Sequence, residues 1–125
     1  MKRVVLTSNA PKPIGPYSQA IQAGNFLFVS GQLAIDPKEG KIVVENIQLH
    51  THQVMENIKA ILHTAGYCLT DVVQSTVYLS SMALFNEFND KYAKYFESDY
   101  PARATVGCEL KSGALVEVSV IAYKD

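Results

Sequence analysis

Two residues in the last quarter of the chain have the clearest capacity for chemistry, and they carry opposite charges. Arg103 is one of only two arginines and stands where a strand is expected to emerge from Tyr100-Pro101-Ala102. Its planar guanidinium fork matches a carboxylate, which a lysine ammonium does not. On position alone, a salt bridge accounts for it equally well. Glu117 interrupts a run that otherwise reads Leu115, Val116, Val118, Ser119, Val120, Ile121. A carboxylate among such neighbours is expected to be partly desolvated, which raises its pKa and suits it to passing protons to and from water. The alternative is that it pairs with Arg103 or with a cation of another subunit. On adjacent strands, the two could serve the hydrolysis of an anionic substrate.

Asn89 lies four residues after Phe85 and three before Tyr92, on the apolar stripe of an expected helix. A buried amide needs partners, so it either fastens a neighbouring loop or reaches a ligand. Tyr17 and Ser30 flank a Gly24-Asn25 turn and could present hydroxyls, although isolated strand hydroxyls are usually structural. His50 and His52 do not form a chelating pair, because residues two apart on a helix diverge by about 200°, and His63 lies roughly 16 Å from His52 at 1.5 Å per residue. The sequence holds no phosphate-binding glycine loop and no nucleophile elbow.

The elements that must position these residues can be read from periodicity. Tyr17 to Gln32 reads as two short β-runs joined at Gly24-Asn25, with a second turn at Asp36 to Gly40. Ile47, Val54, Met55, Ile58, Ile61, Leu62 and Ala65 recur at helical spacing, and Gly66 supplies a stop. Asp71 to Ser80 is rich in Val, Thr and Tyr and reads as a strand. Ser80 or Ser81 can cap a second helix with the stripe Phe85, Phe88, Tyr92, Phe96. Strands are expected from Arg103 to about Cys108 and from Ala114 to Tyr123. The order β, β, β, α, β, α, β, β predicts an α+β domain with two helices on one face of a largely antiparallel or mixed sheet.

Alternation along the last strands separates two faces. Val116, Val118, Val120 and Ala122 form an apolar face suited to the helices, leaving Leu115, Glu117, Ser119, Ile121 and Tyr123 opposite. Arg103, Thr105 and Gly107 share one side of their own strand and are expected to join Glu117 on that mixed face. Such a face is too apolar for water and too polar for a monomer core, so it is expected to be buried against another subunit.

At 125 residues and 48% hydrophobic, the chain fits one domain, 1–125, with no internal repeat or linker. The net charge is -1 and no Lys/Arg cluster stands out along the sequence, so neither nucleic acid nor an anionic membrane is the favoured partner. The N-terminal apolar run is too short for a signal peptide, and no stretch has the roughly 18 apolar residues of a membrane span. Cys68 and Cys108 have no metal or redox spacing and read as free thiols in a reducing cytosol.

Four motifs in order carry a resemblance: IGPYSQAI (Ile14 to Ile21), SGQL (Ser30 to Leu33), PARATVG (Pro101 to Gly107) and GALVEVSVIA (Gly113 to Ala122). Together they closely resemble the reactive-intermediate deaminase family, RidA or YjgF-like, over essentially the whole chain. The resemblance implies a chorismate-mutase-like fold, a mixed six-stranded sheet with two helices on one face, assembled as a homotrimer with sites in the clefts between subunits. It also implies a cytoplasmic enzyme that hydrolyses 2-iminopropanoate and 2-iminobutanoate to 2-keto acids and ammonia, with no cofactor or metal. Matched residue by residue, the family's carboxylate-binding arginine falls on Arg103 and its water-orienting glutamate on Glu117. Its other pocket residues fall on Tyr17, Ser30, Gly31 and Asn89.

Two positions depart from the family pattern. Thr105 stands in the pocket where some members carry a cysteine, so a thiol role does not transfer there. The segment before the last strand, Cys108 to Gly113, is about one residue shorter than usual and lacks the common proline. Two further functions attach to such proteins: a translation-inhibiting endoribonuclease, and a ligand-binding or chaperone-like trimer without turnover. The histidines, all in or beside one helix, do not favour the first, and the retained Arg103 and Glu117 do not favour the second.

Overall fold

The computed structural model describes residues 1–43 and 46–125. Strands β1 (Lys2–Val5), β2 (Ala20–Ala23) and β3 (Phe26–Gln32) are followed by a small hairpin, β4 (Ile35–Asp36) and β5 (Lys41–Ile42). Helix α1 (Ile47–Thr64), strand β6 (Val72–Leu79), helix α2 (Phe85–Ala93), strand β7 (Ala102–Gly107) and strand β8 (Val116–Tyr123) complete the chain. Six strands form one sheet in the order β1-β2-β3-β8-β6-β7, mixed because β6 and β7 run parallel while the other neighbours are antiparallel.

Local chemistry sets the element ends. The Asn46 side chain accepts from the Leu49 amide at 3.0 Å and opens α1. At its other end Gly66 takes φ 86°, and the amides of Gly66 and Tyr67 donate back to the carbonyls of His63 and Leu62. That pairing is the glycine-terminated stop the sequence predicts. The β2–β3 hairpin turns at Gly24-Asn25 with Gly24 at φ 60°, a conformation that costs glycine little. Ser81 accepts from the Ala83 amide, capping a short 3-10 turn that leads into α2.

The core lies between the helices and one sheet face. Val54, Met55, Ile58, Ile61 and Leu62 of α1 are buried, as are Val116, Val118, Val120 and Ala122 of β8. Among the described residues no helix covers the other face. Phe26, Phe28 and Tyr123 meet there, with Phe26 and Phe28 43% and 44% exposed, and Glu117 projects from the same side. The expected mixed face therefore exists.

Arg103, however, is not on it. Because β6 and β7 pair in parallel, Arg103 and Thr105 stand beside Ser75 and Val77, which face the helices. Glu117 pairs with Tyr78 and so faces the open side. Nor are their strands adjacent, since β6 separates β7 from β8. The placement of Arg103 and Glu117 on one face of neighbouring strands is corrected accordingly. The cause is the α2 crossover, which returns the chain parallel to β6 and leaves β8 to enter between β3 and β6.

Candidate functional site

Glu117 sits above a break in β3. Val29 pairs with Val120 and Gln32 with Val118, so Ser30 and Gly31 together face the single residue Ser119. This is a β-bulge, one residue more on β3 than on β8. It brings the backbone of Gly31 under the Glu117 carboxylate. A Cβ at Gly31 would lie 2.9 Å from Cδ of Glu117 and would collide with Oε2. Only glycine leaves that space open.

Tyr17, Ser30, Gly31, Lys111 and Glu117 line one cleft of about 410 Å³. Burial pushes the Glu117 carboxyl above its usual range, opposed by the positive charge of Lys111. Ser30 is engaged structurally: its hydroxyl donates to the Ser18 carbonyl at 2.6 Å. Tyr17 is exposed, and its hydroxyl accepts from the Ile14 amide at 3.3 Å. The arm that carries Tyr17 is held by a residue the sequence did not single out. Buried Gln19 accepts from the Thr7 amide at 2.7 Å and donates to the carbonyls of Thr7, Ala10 and Pro11.

Arg103 occupies a separate cleft of about 250 Å³, shared with Asn89, Tyr92, Tyr100 and Pro101. Its guanidinium carbon lies 5.0 Å from the ring centroid of Tyr92, 5.6 Å from Phe88 and 5.7 Å from Phe85. All three rings belong to α2, so the helix stripe that packs the core also holds the cation. Tyr92 is fixed in turn by donating to the Ser75 hydroxyl at 2.8 Å. Among the described residues the one ion pair is Lys59–Glu56, remote in sequence from this cleft, so a salt bridge does not account for Arg103 here. The Asn89 Oδ1 is buried without a hydrogen-bond partner. An unpaired buried acceptor beside an unpaired cation is a costly arrangement that a ligand could relieve.

The chain thus brings together Tyr17, Ser30, Gly31 and Glu117 in one cleft and Arg103 and Asn89 in another. It does not join the two sets. Thr105 shares the face of Arg103 by strand register and lines neither cleft. One cleft thus offers a cation beside a buried acceptor without a partner, and the other a carboxyl group with a raised pKa.

A family model described as Endoribonuclease L-PSP matches residues 7–124. The chain is 56% identical over 126 residues to a RutC family protein of Pyrococcus horikoshii, covering 100% of both. It is 38% identical over 121 residues to a 2-iminobutanoate/2-iminopropanoate deaminase of Dermatophagoides farinae, covering 96% of this chain and 94% of the relative. The solved structure of RidA from an Antarctic Psychrobacter matches with a TM-score of 0.94 at 37% identity, over 98% of this chain and 99% of that one.

Proposed function

Since the chain belongs to the Endoribonuclease L-PSP family as a RidA/YjgF-like member, we propose that it is a deaminase that hydrolyses reactive 2-imino acids to 2-keto acids and ammonia, working as a homotrimer. The carrying observation is the division of the site. Arg103 with Asn89 and Glu117 with Gly31 lie on opposite faces of the sheet, each in an open cleft. Contact between the open face of one subunit and the α2–β7 edge of the next would unite them. The exposed apolar residues Phe26, Phe28 and Val106 on the open face favour such contact.

In the joined site the Arg103 fork binds the substrate carboxylate, held rigid by its three rings, and Asn89 accepts from the imine N–H. Glu117 takes a proton from water as the water oxygen bonds to the C=N carbon, giving a carbinolamine. It then returns the proton to nitrogen. As the C–N bond breaks, the carbinolamine hydroxyl gives its proton to the Glu117 carboxylate, so the carbonyl forms as ammonia leaves. Glu117 then passes that proton to ammonia, which departs as ammonium. A carboxylate with a raised pKa suits these transfers. A protonated imine is electrophilic enough for water, so this route calls for neither metal nor cofactor. The free, exposed thiols of Cys68 and Cys108 suit a reducing compartment such as the cytoplasm. No helix among the described residues is long and apolar enough to cross a membrane.

The test is to generate 2-iminopropanoate in situ with an amino-acid oxidase or a serine dehydratase and follow keto-acid release. The protein should accelerate release, and Arg103→Ala should abolish the acceleration. A rate no faster than spontaneous hydrolysis would overturn the activity. Acceleration that survives Arg103→Ala would overturn the mechanism.

A further inference from the structure

Beside the Glu117 cleft lies a larger groove of about 940 Å³, between the N-terminal arm, the β4–β5 hairpin and the turn before β8. Leu33, Ile35, Ile42 and Leu115 give it aliphatic walls, and no Phe, Tyr or Trp is among the described residues that line it. Among the described residues, Lys12, Lys38, Lys41 and Lys111 also line it, against one carboxylate, Glu39. These four of the chain's nine lysines come from three distant stretches of sequence, in a protein of net charge -1.

We propose that this groove binds an amphipathic aliphatic carboxylate, of which a medium-chain fatty acid is the simplest case. The chain lies on Leu33, Ile35, Ile42 and Leu115, and the carboxylate lies among the lysines. Low-dielectric walls concentrate the field of the cations and favour an anion. The absence of aromatic platforms disfavours a nucleic acid strand, whose bases bind by stacking. His50 adds no charge. It is 2% exposed, its Nδ1 accepts from the Leu115 amide at 3.3 Å, and burial pulls its pKa below the usual imidazole range. The occupant is therefore held by charge at the lysines and by apolar contact elsewhere. This inference is independent of the imine chemistry: Lys38 and Lys41 line the groove and not the Glu117 cleft, whereas Lys12 and Lys111 line both.

The test is calorimetric titration of the purified protein with hexanoate, octanoate and decanoate, with octylammonium as the head-group control. Affinity should rise by up to about fourfold per added methylene, and octylammonium should not bind. The double variant Lys38→Glu, Lys41→Glu should weaken octanoate binding by about tenfold or more, and raised salt should weaken it in the native protein. Lys38→Gln, Lys41→Gln is the second variant, expected to weaken binding in the same direction should the charge reversal fail to fold. Three results would overturn the proposal: no binding of any acid at millimolar concentration, equal binding of octanoate and octylammonium, or displacement of octanoate by inorganic phosphate or a short RNA oligonucleotide. Imine hydrolysis by the lysine variants is read separately and should match the native protein.

Discussion

Arg103 and Glu117 stand on opposite faces of one sheet with strand β6 between their strands, so neither can reach the other within a chain. If they act on one substrate, they come from two subunits. Arg103→Ala and Glu117→Ala proteins, each inactive alone, should then recover activity when unfolded and refolded as an equal mixture. In a cyclic trimer each site takes one subunit for each half, so about one quarter of native activity is expected. No recovery in mixed trimers would place both residues of a working site on one chain. Light scattering should show a trimer, and Phe28→Glu, which puts a charge on the open face, should dissociate it.

Gly31→Ala should damage the site more than the fold. The added Cβ meets the Glu117 carboxylate rather than the core. Overpacking of this kind costs about 1–3 kcal/mol, and rotation of Glu117 can relieve part of it. The turnover rate should fall at least about tenfold, while rotation of Glu117 should keep the drop in unfolding temperature to about 5 °C or less. Activity equal to the native protein would show that the position of Glu117 above the bulge is not needed.

Glu117 also sets a pH dependence. Its folded pKa is raised by burial. Between the ordinary carboxylate value and the raised one, the folded state therefore holds a proton that the unfolded chain has released. Stability falls as pH rises through that window and stays lower above it. Glu117→Gln should accordingly raise the unfolding temperature at pH 7 and leave it unchanged well below the ordinary glutamate pKa. The turnover rate of the native protein should rise as Glu117 ionises, with a midpoint above that of a free carboxyl. Lys111→Met removes the cation that opposes the shift and should move that midpoint higher. A midpoint unmoved by Lys111→Met would show that the ammonium does not act on Glu117.

The aromatic seat of Arg103 separates stability from binding. Tyr92→Phe keeps the ring under the guanidinium and removes the hydrogen bond to buried Ser75. It should cost about 1 kcal/mol of stability with little change in kcat/KM. Arg103→Lys keeps the charge but loses the bidentate fork and the flat contact with the rings. A charge-assisted hydrogen bond contributes about 1.5–3 kcal/mol, so kcat/KM should fall by roughly ten- to over a hundredfold, chiefly through KM.

The local elements were legible because their signals are local. The stripe from Ile47 to Ala65, the Gly66 stop and the Gly24-Asn25 turn all lie where spacing and glycine chemistry require them. Strand partners were not legible. Consecutive strands usually pair, and nothing in Ala102 to Tyr123 shows that β7 joins β6 in parallel while β8 enters on the other side of β6. Alternation correctly put Arg103 with Thr105, but only the pairing shows which face they share. The same limit hid the lysine groove. Lys12, Lys38, Lys41 and Lys111 are scattered in sequence and converge only once the arm, the hairpin and the last turn are folded together. Gln19 was missed because its four partners lie 8 to 12 residues away in a loop without periodicity.

The bulge at Ser30–Gly31 changes the reading frame of β3. Leu27 and Val29 point inward on odd numbers, Gln32 and Ala34 on even ones. Deleting Gly31 would make the strand regular and leave both flanks facing the way they already face. The sheet has no need of this residue, so a one-codon deletion can keep the architecture while erasing the floor beneath Glu117. The course of the strand and the seat of Glu117 are here encoded by separable letters of the same strand.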